Sequence, residues 1–217
     1  MKIGKTVYLI RHGQSEDNVR EVFQSPESPL TKKGEKQAKN IAKRISKISF
    51  DILISSPFKR AKQTAEIIAK KTNKKLELSE LFTERIKPTY INGKPYTDKK
   101  AFAIYKKWEK SLYTPGFRVQ DGENFDDIIK RADKALAFLQ KRPEKSLVIV
   151  THGYFLRTIV IRILLGKHLS NEIFKNIHKK ISIENTGITI LQYYVPKEKQ
   201  KPMWRLWVCN DHAHLAE

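Results

Sequence analysis

A chain of 217 residues is long enough to bury one sizeable core. Its 40% hydrophobic and 10% aromatic content is ordinary for a globular protein and excludes a disordered one. Lysine and arginine (43) outnumber aspartate and glutamate (23), and the formal charge of +20 favours anionic partners without choosing among metabolites, nucleic acid and acidic surfaces.

In chain order, Thr6–Ile10 ("TVYLI") predicts a buried strand, β-branched and aromatic between polar flanks. Thr31–Lys47 predicts a helix, with Ala38, Ile41, Ala42 and Ile45 at helical spacing. Asp51–Ile54 predicts a second strand, and Ser55-Ser56-Pro57 reads as a helix start, with serine capping and proline in the first turn. Arg60–Lys71 continues that helix, and Lys75–Leu78 predicts a weaker third strand. From Arg85 to Asp121 the periodicity dissolves into a Lys-, Tyr- and Pro-rich segment with one helix at Lys99–Leu112. It is expected to be a lid insertion over the site, within a single domain spanning 1–217. A long amphipathic helix comes after Gly122, running through Phe125, Ile128, Ala132, Ala135 and Leu139. Ser146–Thr151 ("SLVIVT") predicts the strongest strand, and Tyr154–Gly166 the helix behind it. Ile188–Val195 and Met203–Val208 predict two further strands around a lysine-rich turn at Pro196–Pro202. Alternating strands and helices predict an α/β protein, a mostly parallel sheet covered on both faces.

Ligands of such sheets sit at the carboxyl ends of the strands. Strand one delivers Arg11-His12-Gly13, and the helix after strand two brings Arg60 in its first turn. Strand three is followed by Glu80 and Glu84, and the strongest strand ends in Thr151-His152-Gly153. Two arginines, two histidines and a carboxylate from distant segments suit phosphoryl transfer. Arginine forks hold a phosphate dianion, a neutral imidazole attacks phosphorus, and a carboxyl group moves the proton. Nearby arginines favour the unprotonated imidazole, and each glycine lets the backbone approach closely. Glu84 fits the proton-transfer role better than Glu80, which lies nearer the strand end. His168, His178, His212 and His214 are read as structural, and neither "HAH" at 212–214 nor any aspartate cluster reads as a metal site, so the expected chemistry uses no metal and no cofactor. The lysines occur as scattered pairs such as Lys32-Lys33 and Lys179-Lys180, a solvated surface rather than a nucleic-acid face. Tyr90, Lys94, Tyr96, Lys99 and Lys100 read as lid surface rather than as site lining. A lone cysteine, Cys209, excludes an internal disulfide, and the apolar runs are too short for a signal peptide or a membrane span. A cytoplasmic protein acting on a small phosphorylated metabolite is expected.

These motifs resemble the histidine phosphatase superfamily, the group of phosphoglycerate mutases and acid-type phosphatases. "LIRHGQS" is similar to its opening signature, "SPLTKKGEKQA" (28–38) and "SSPFKRAKQTA" (55–65) to its next two segments. "GENFDDIIKR", "VTHG" and "NDHAHL" (210–215) come next in the family's order. The resemblance implies a three-layer α/β/α sandwich. It implies that His12 is the phosphorylated nucleophile, that Arg11, Arg60 and His152 complete the phosphate pocket, and that Glu84 donates and accepts the proton. Asn18, Gln24, Ser25 and Gly153 would touch phosphate or substrate.

Departures from the pattern bear on the subclass. Cofactor-dependent mutases carry tryptophan before the asparagine aligned with Asn18, where this chain has Asp17. Gln24 stands where glycine is typical, and "RIKPTYINGKPY" after Glu84 lacks the mutase pattern. The expectation is therefore a phosphomonoesterase, with a phosphoglycerate mutase as the alternative. A non-catalytic anion- or nucleic-acid-binding protein comes third, because all five catalytic-type residues are present.

Overall fold

The computed structural model describes residues 2–196 and 200–215. Six strands form one mixed sheet in the order β3-β2-β4-β1-β5-β6: β1 (Lys2–Arg11), β2 (Ile52–Ser55), β3 (Leu76–Leu78), β4 (Ser146–Thr151), β5 (Ile188–Val195) and β6 (Met203–Asp211). The first four in that order run parallel, β5 is antiparallel to β1, and β6 is antiparallel to β5. Strand alternation sorts the core into two layers. Val7 and Leu9 of β1, with Leu147 and Ile149 of β4, point into one apolar cluster, and Ile10, Val148 and Val150 point into the other.

The helices α2 (Lys32–Ile45) and α3 (Lys59–Thr72) cover the second cluster with buried Ile41, Ala42, Ile45, Ala61, Ala65 and Ile68. The first is covered by α5 (Phe125–Lys141) and α6 (Gly153–Leu165), the former through Ile128, Ala132, Ala135 and Leu139. Caps fix where two of these helices begin. Thr31 accepts from the Gly34 N–H at the head of α2, and Asn124 with Asp127 forms a reciprocal capping box on α5. The three-layer α/β/α arrangement expected from the element order is the one observed.

Three details differ. β1 extends back to Lys2, where Lys2 and Ile3 pair with β5, an exposed end that carries no apolar signal. The helix expected to start at Ser55-Ser56-Pro57 starts instead at Lys59. The Ser56 hydroxyl accepts from the Phe58 N–H within a bend and is also held by His152, so it cannot cap a helix there. Two short helices had no periodic signature long enough to see, α1 (Glu16–Val19) and α7 (Asn171–His178). The turn expected at Pro196–Pro202 falls partly on residues 197–199, outside those described.

The segment from Arg85 to Asp121 contains α4 (Lys99–Lys110), within the span expected for a helix. Its anchor is Arg85, a side chain only 2% exposed. The guanidinium lies 3.5 Å from the Trp108 ring centroid, pairs with Glu109 at 2.9 Å, and donates to the carbonyls of Trp108 and Glu123. A buried arginine with stacking, ionic and carbonyl partners is fully satisfied, so it fastens the segment rather than serving a ligand.

Candidate active site

The parallel strands end on one edge, and the chain there is stitched together. The His12 N–H donates to Thr151 O (3.0 Å), the Ser56 N–H to Val150 O (3.0 Å), and the Thr186 N–H to Arg11 O (2.9 Å). The Asn185 amide donates to His12 O at 2.9 Å. His12, 1% exposed, is thus held on both sides of its peptide unit.

Its ring has one chemically sensible tautomer. Nδ1 is 2.7 Å from Gly13 O, and a carbonyl only accepts, so Nδ1 carries the proton. Nε2 is then an unprotonated lone pair, and Arg60 Nε donates to it at 3.1 Å. Burial, then the Arg60 and Arg11 charges, hold the His12 pKa well below its ordinary 6.5. An imidazole that stays neutral, with one nitrogen anchored and the other facing cations, has the properties of a nucleophile toward phosphorus.

Around it stand the other expected residues. Arg60 also donates to Ser25 O at 2.9 Å, and Arg11 donates to Ile183 O at 2.6 Å while its buried Nε has no partner. The His152 ring centre lies 5.0 Å from that of His12; its Nε2 is 2.8 Å from the Ser56 hydroxyl, and its buried Nδ1 has no partner. Burial, with Arg60 second, pushes the His152 pKa well below 6.5 as well. The Glu84 carboxylate sits against the first turn of α6, accepting from the N–H groups of Phe155 (3.0 Å), Tyr154 (3.3 Å) and Arg85 (3.0 Å). A cavity of about 440 Å³ opens over His12, lined by Arg11, Gln24, Glu84, Lys87 and Gly153, with Tyr105, Trp108 and Glu109 from the 85–121 segment. Lys87 donates to Gln24 O at 3.3 Å; burial and the Arg60 charge bring its pKa down to about 8.

Two expected contacts fall elsewhere. Asn18 and Ser25 do not line this cavity. The Asn18 side chain caps its own short helix by accepting from the Ser15 N–H, and the Ser25 N–H is taken by the Asp17 carboxylate at 2.8 Å. Asp17, which also has its own N–H on the Ser28 hydroxyl, therefore ties down the 24–28 loop. Glu80 begins a single 3₁₀ turn and does not line the cavity; Glu84 does. Gly13 has a packing reason in place of the substrate approach expected of it: a Cβ there would lie 2.5 Å from Gly34 O. Gly153 fits the expectation better, since its Cβ would sit 3.2 Å from Arg11 Nε, inside the site. Of the expected lid-surface side chains, Tyr90 and Tyr96 are exposed, and Lys94 and Lys100 lie over the Tyr90 ring.

Sequence reading missed the 182–187 segment, Lys87, Arg157 and the pair Glu123–Arg131. Arg131 donates to the carbonyls of Leu81, Thr83 and Glu84 and, through Nε and a terminal nitrogen, to both Glu123 oxygens at 2.7 and 2.8 Å. It fixes the strand of backbone that carries Glu84. Among the described residues no group of three or more His, Cys, Asp or Glu side chains could hold a metal ion. His214 instead contacts Arg44 and Thr186, and among the described residues no helix is long and apolar enough to cross a membrane.

A parallel sheet edge bearing two buried histidines beside two arginines is a setting suited to an anion in an α/β protein. The chain belongs to the histidine phosphatase superfamily, branch 1, whose pattern matches residues 7–205. It is 33% identical to the probable phosphoglycerate mutase GpmB of Enterobacter sp. (strain 638), over 96% of this chain and 94% of that one. It is 34% identical to the probable phosphoglycerate mutase GpmB of Photorhabdus laumondii, over 73% and 74%. Among solved structures, a phosphoserine phosphatase mutant of Entamoeba histolytica in complex with phosphoserine superposes with a TM-score of 0.72 at 27% identity, covering 97% of this chain and 99% of that one. A putative α-ribazole-5'-phosphate phosphatase from Escherichia coli shares the fold, with a TM-score of 0.77 at 19% identity over 96% and 97%.

Proposed function

We propose that the protein is a phosphomonoesterase that works through a phosphohistidine at His12. The observation that carries this reading is the orientation of the His12 ring, Nδ1–H on Gly13 O and the Nε2 lone pair facing Arg60. Arg11, Arg60 and the partnerless Nδ1 of His152 hold the phosphoryl oxygens, Arg60 exchanging its contact with Nε2 for one to oxygen. For His152 to donate from Nδ1, its Nε2 accepts from the Ser56 hydroxyl. Nε2 attacks phosphorus, the P–O ester bond breaks, and Glu84 gives its proton to the leaving oxygen, releasing the alcohol. Water then attacks the phosphohistidine, Glu84 takes the water proton, and the N–P bond breaks to release phosphate.

A phosphoglycerate mutase uses the same first half-reaction but returns the phosphoryl group to a hydroxyl. The names of the GpmB relatives favour that second reading. The phosphoserine phosphatase likeness, and Asp17 in the place of a mutase tryptophan, favour hydrolysis. The separating experiment supplies 3-phosphoglycerate with catalytic 2,3-bisphosphoglycerate and tracks phosphate release against isomer exchange. Release that outpaces exchange, and is lost in His12→Ala, supports the phosphomonoesterase; the reverse order supports the mutase. Phosphate release surviving in His12→Ala would overturn the phosphohistidine route. RNA binding with a steep salt dependence and no turnover of any phosphomonoester would favour a non-catalytic protein instead.

A further inference from the structure

Beside the proposed phosphate pocket, one wall of the cavity carries a cation that no carboxylate among the described residues pairs with. Arg157 lies one turn into α6, three residues after Tyr154, so both side chains leave the same face near the head of the helix. Both line the cavity over His12. Arg157 has no carboxylate partner among the described residues. Its one hydrogen bond, from a terminal nitrogen to Ile181 O, is stretched to 3.5 Å, and its buried Nε has none. The buried Tyr154 hydroxyl also has no partner. Buried donors are nearly always satisfied, so two open donors on one cavity wall mark where ligand atoms belong.

The carboxylates nearby do not fill the gap. Glu109 is committed to Arg85 at 2.9 Å, and Glu84 is taken up by backbone N–H groups. Glu184, exposed at the mouth, accepts from the Ser182 hydroxyl at 3.3 Å and makes no ion pair with Arg157. A phosphate dianion balances Arg11 and Arg60, which leaves Arg157 over. Lys87, whose pKa burial and the Arg60 charge bring down, is a further positive group on the lining.

We propose that Arg157 and the Tyr154 hydroxyl form a second anion subsite, so that the substrate is a small phosphomonoester bearing a second anionic group, a carboxylate or another phosphate. The guanidinium fork matches either group with paired hydrogen bonds, and the hydroxyl supplies a third donor. This subsite rests on the phosphomonoesterase reading for the reacting phosphate. It adds a requirement on the other end of the molecule.

The test compares matched substrates. 3-Phosphoglycerate carries a carboxylate where glycerol 3-phosphate carries a hydroxymethyl group, and 2,3-bisphosphoglycerate adds a second phosphate. The native enzyme is expected to favour an anionic member of the set over glycerol 3-phosphate in kcat/KM. Arg157→Gln is expected to cut that ratio by about 10- to 100-fold, the worth of a charge-assisted contact. Arg157→Lys should restore part of it, and Tyr154→Phe, which keeps the ring against His178 and Phe174, should cut it several-fold. Whichever anionic substrate suffers the larger loss identifies the second group. An equal loss on all three substrates, or no native preference, would overturn the subsite. If no monoester is turned over, the phosphomonoesterase reading fails by itself. Calorimetric binding of 3-phosphoglycerate and glycerol 3-phosphate to His12→Ala then decides: a preference that Arg157→Gln removes upholds the subsite, and equal affinity sinks it.

Discussion

Replacing Arg131 with glutamine separates the placement of Glu84 from the making of the phosphate pocket. Arg131 and Glu123 are each only 13% exposed, so their two-armed ion pair is largely desolvated. Removing the cation leaves Glu123 uncompensated and strips donors from three carbonyls at 81–84. Breaking a buried pair costs about 3–5 kcal/mol. Water at the rim puts this one near the lower end, which for a chain of this size lowers Tm by roughly 6–12 °C. Below that melt the phosphate pocket stays built, because Arg131 touches neither His12 nor Arg60, while Glu84 loses its fixed path. If Glu84 is the proton donor proposed above, a misplacement of ~1 Å costs on the order of 100-fold. The assay is kcat on glycerol 3-phosphate against p-nitrophenyl phosphate at 20 °C. An alkoxide cannot leave without a proton and nitrophenolate can, so the loss should fall on the alkyl ester. Equal losses on the two esters would refute a positioning role for Arg131, and unchanged rates on both would refute the importance of the 81–84 geometry.

The same geometry fixes three further outcomes. Long-range ¹H–¹⁵N spectra of the unliganded enzyme at pH 6 should show His12 neutral and protonated on Nδ1, since burial and two arginines hold its pKa well below 6.5; an imidazolium signal would contradict the tautomer argument. Stability should fall on acidification. Burial brings the His178 pKa down to about 3, so between pH 3 and 6.5 the unfolded chain binds a proton there that the folded one refuses. That single group removes about 2 kcal/mol between pH 6.5 and 5, with His12 and His152 acting in the same direction, and urea midpoints flat across this range would be inconsistent with neutral buried rings. Gly34→Ala builds a methyl group 2.0 Å from Gln14 O, against backbone that cannot yield cheaply; we expect a loss of about 1–3 kcal/mol and a drop in kcat, and a fully active, equally stable variant would show that the 12–14 turn has slack.

Much of the site was legible because the sheet obeys its periodicities. The apolar run that buries Val7 and Leu9 on one face and Ile10 on the other stops just before Arg11, and "SLVIVT" stops just before His152. A residue just past the end of such a strand is at the site by topology alone. Arg60 needed only a helix after β2, even though the helix starts later than serine and proline suggested. The missed residues reach the site by routes that no local pattern encodes. Asn185 and Thr186 lie ahead of β5 and reach the end of β1 only because those strands pair, and Thr186 does so with a φ of +61° that its threonine identity gives no reason to expect. Arg131 sits in a charged helical stretch where arginine is routine, and its importance depends on carbonyls 47 to 50 residues away. Gly13 and Gly34 need each other, and neither alone announces a backbone contact.

Because β4, the 185–187 segment and Gly13 grip the peptide units and ring of His12 on several sides, the nucleophile proposed there is a fixed post. A post cannot swing a phosphoryl group from one acceptor to another; the acceptor has to come to it. The identity of the next acceptor then becomes a question of tenancy: whichever molecule occupies the space above Nε2 after the alcohol departs receives the group. A wall that releases the alcohol quickly hands that space to water, and one that keeps a hydroxyl compound in place returns the group to carbon-bound oxygen. On the proposed phosphohistidine route, hydrolysis and isomerisation would differ by a dwell time, which falls to the cavity-lining Tyr105, Trp108 and Glu109 rather than to the histidine.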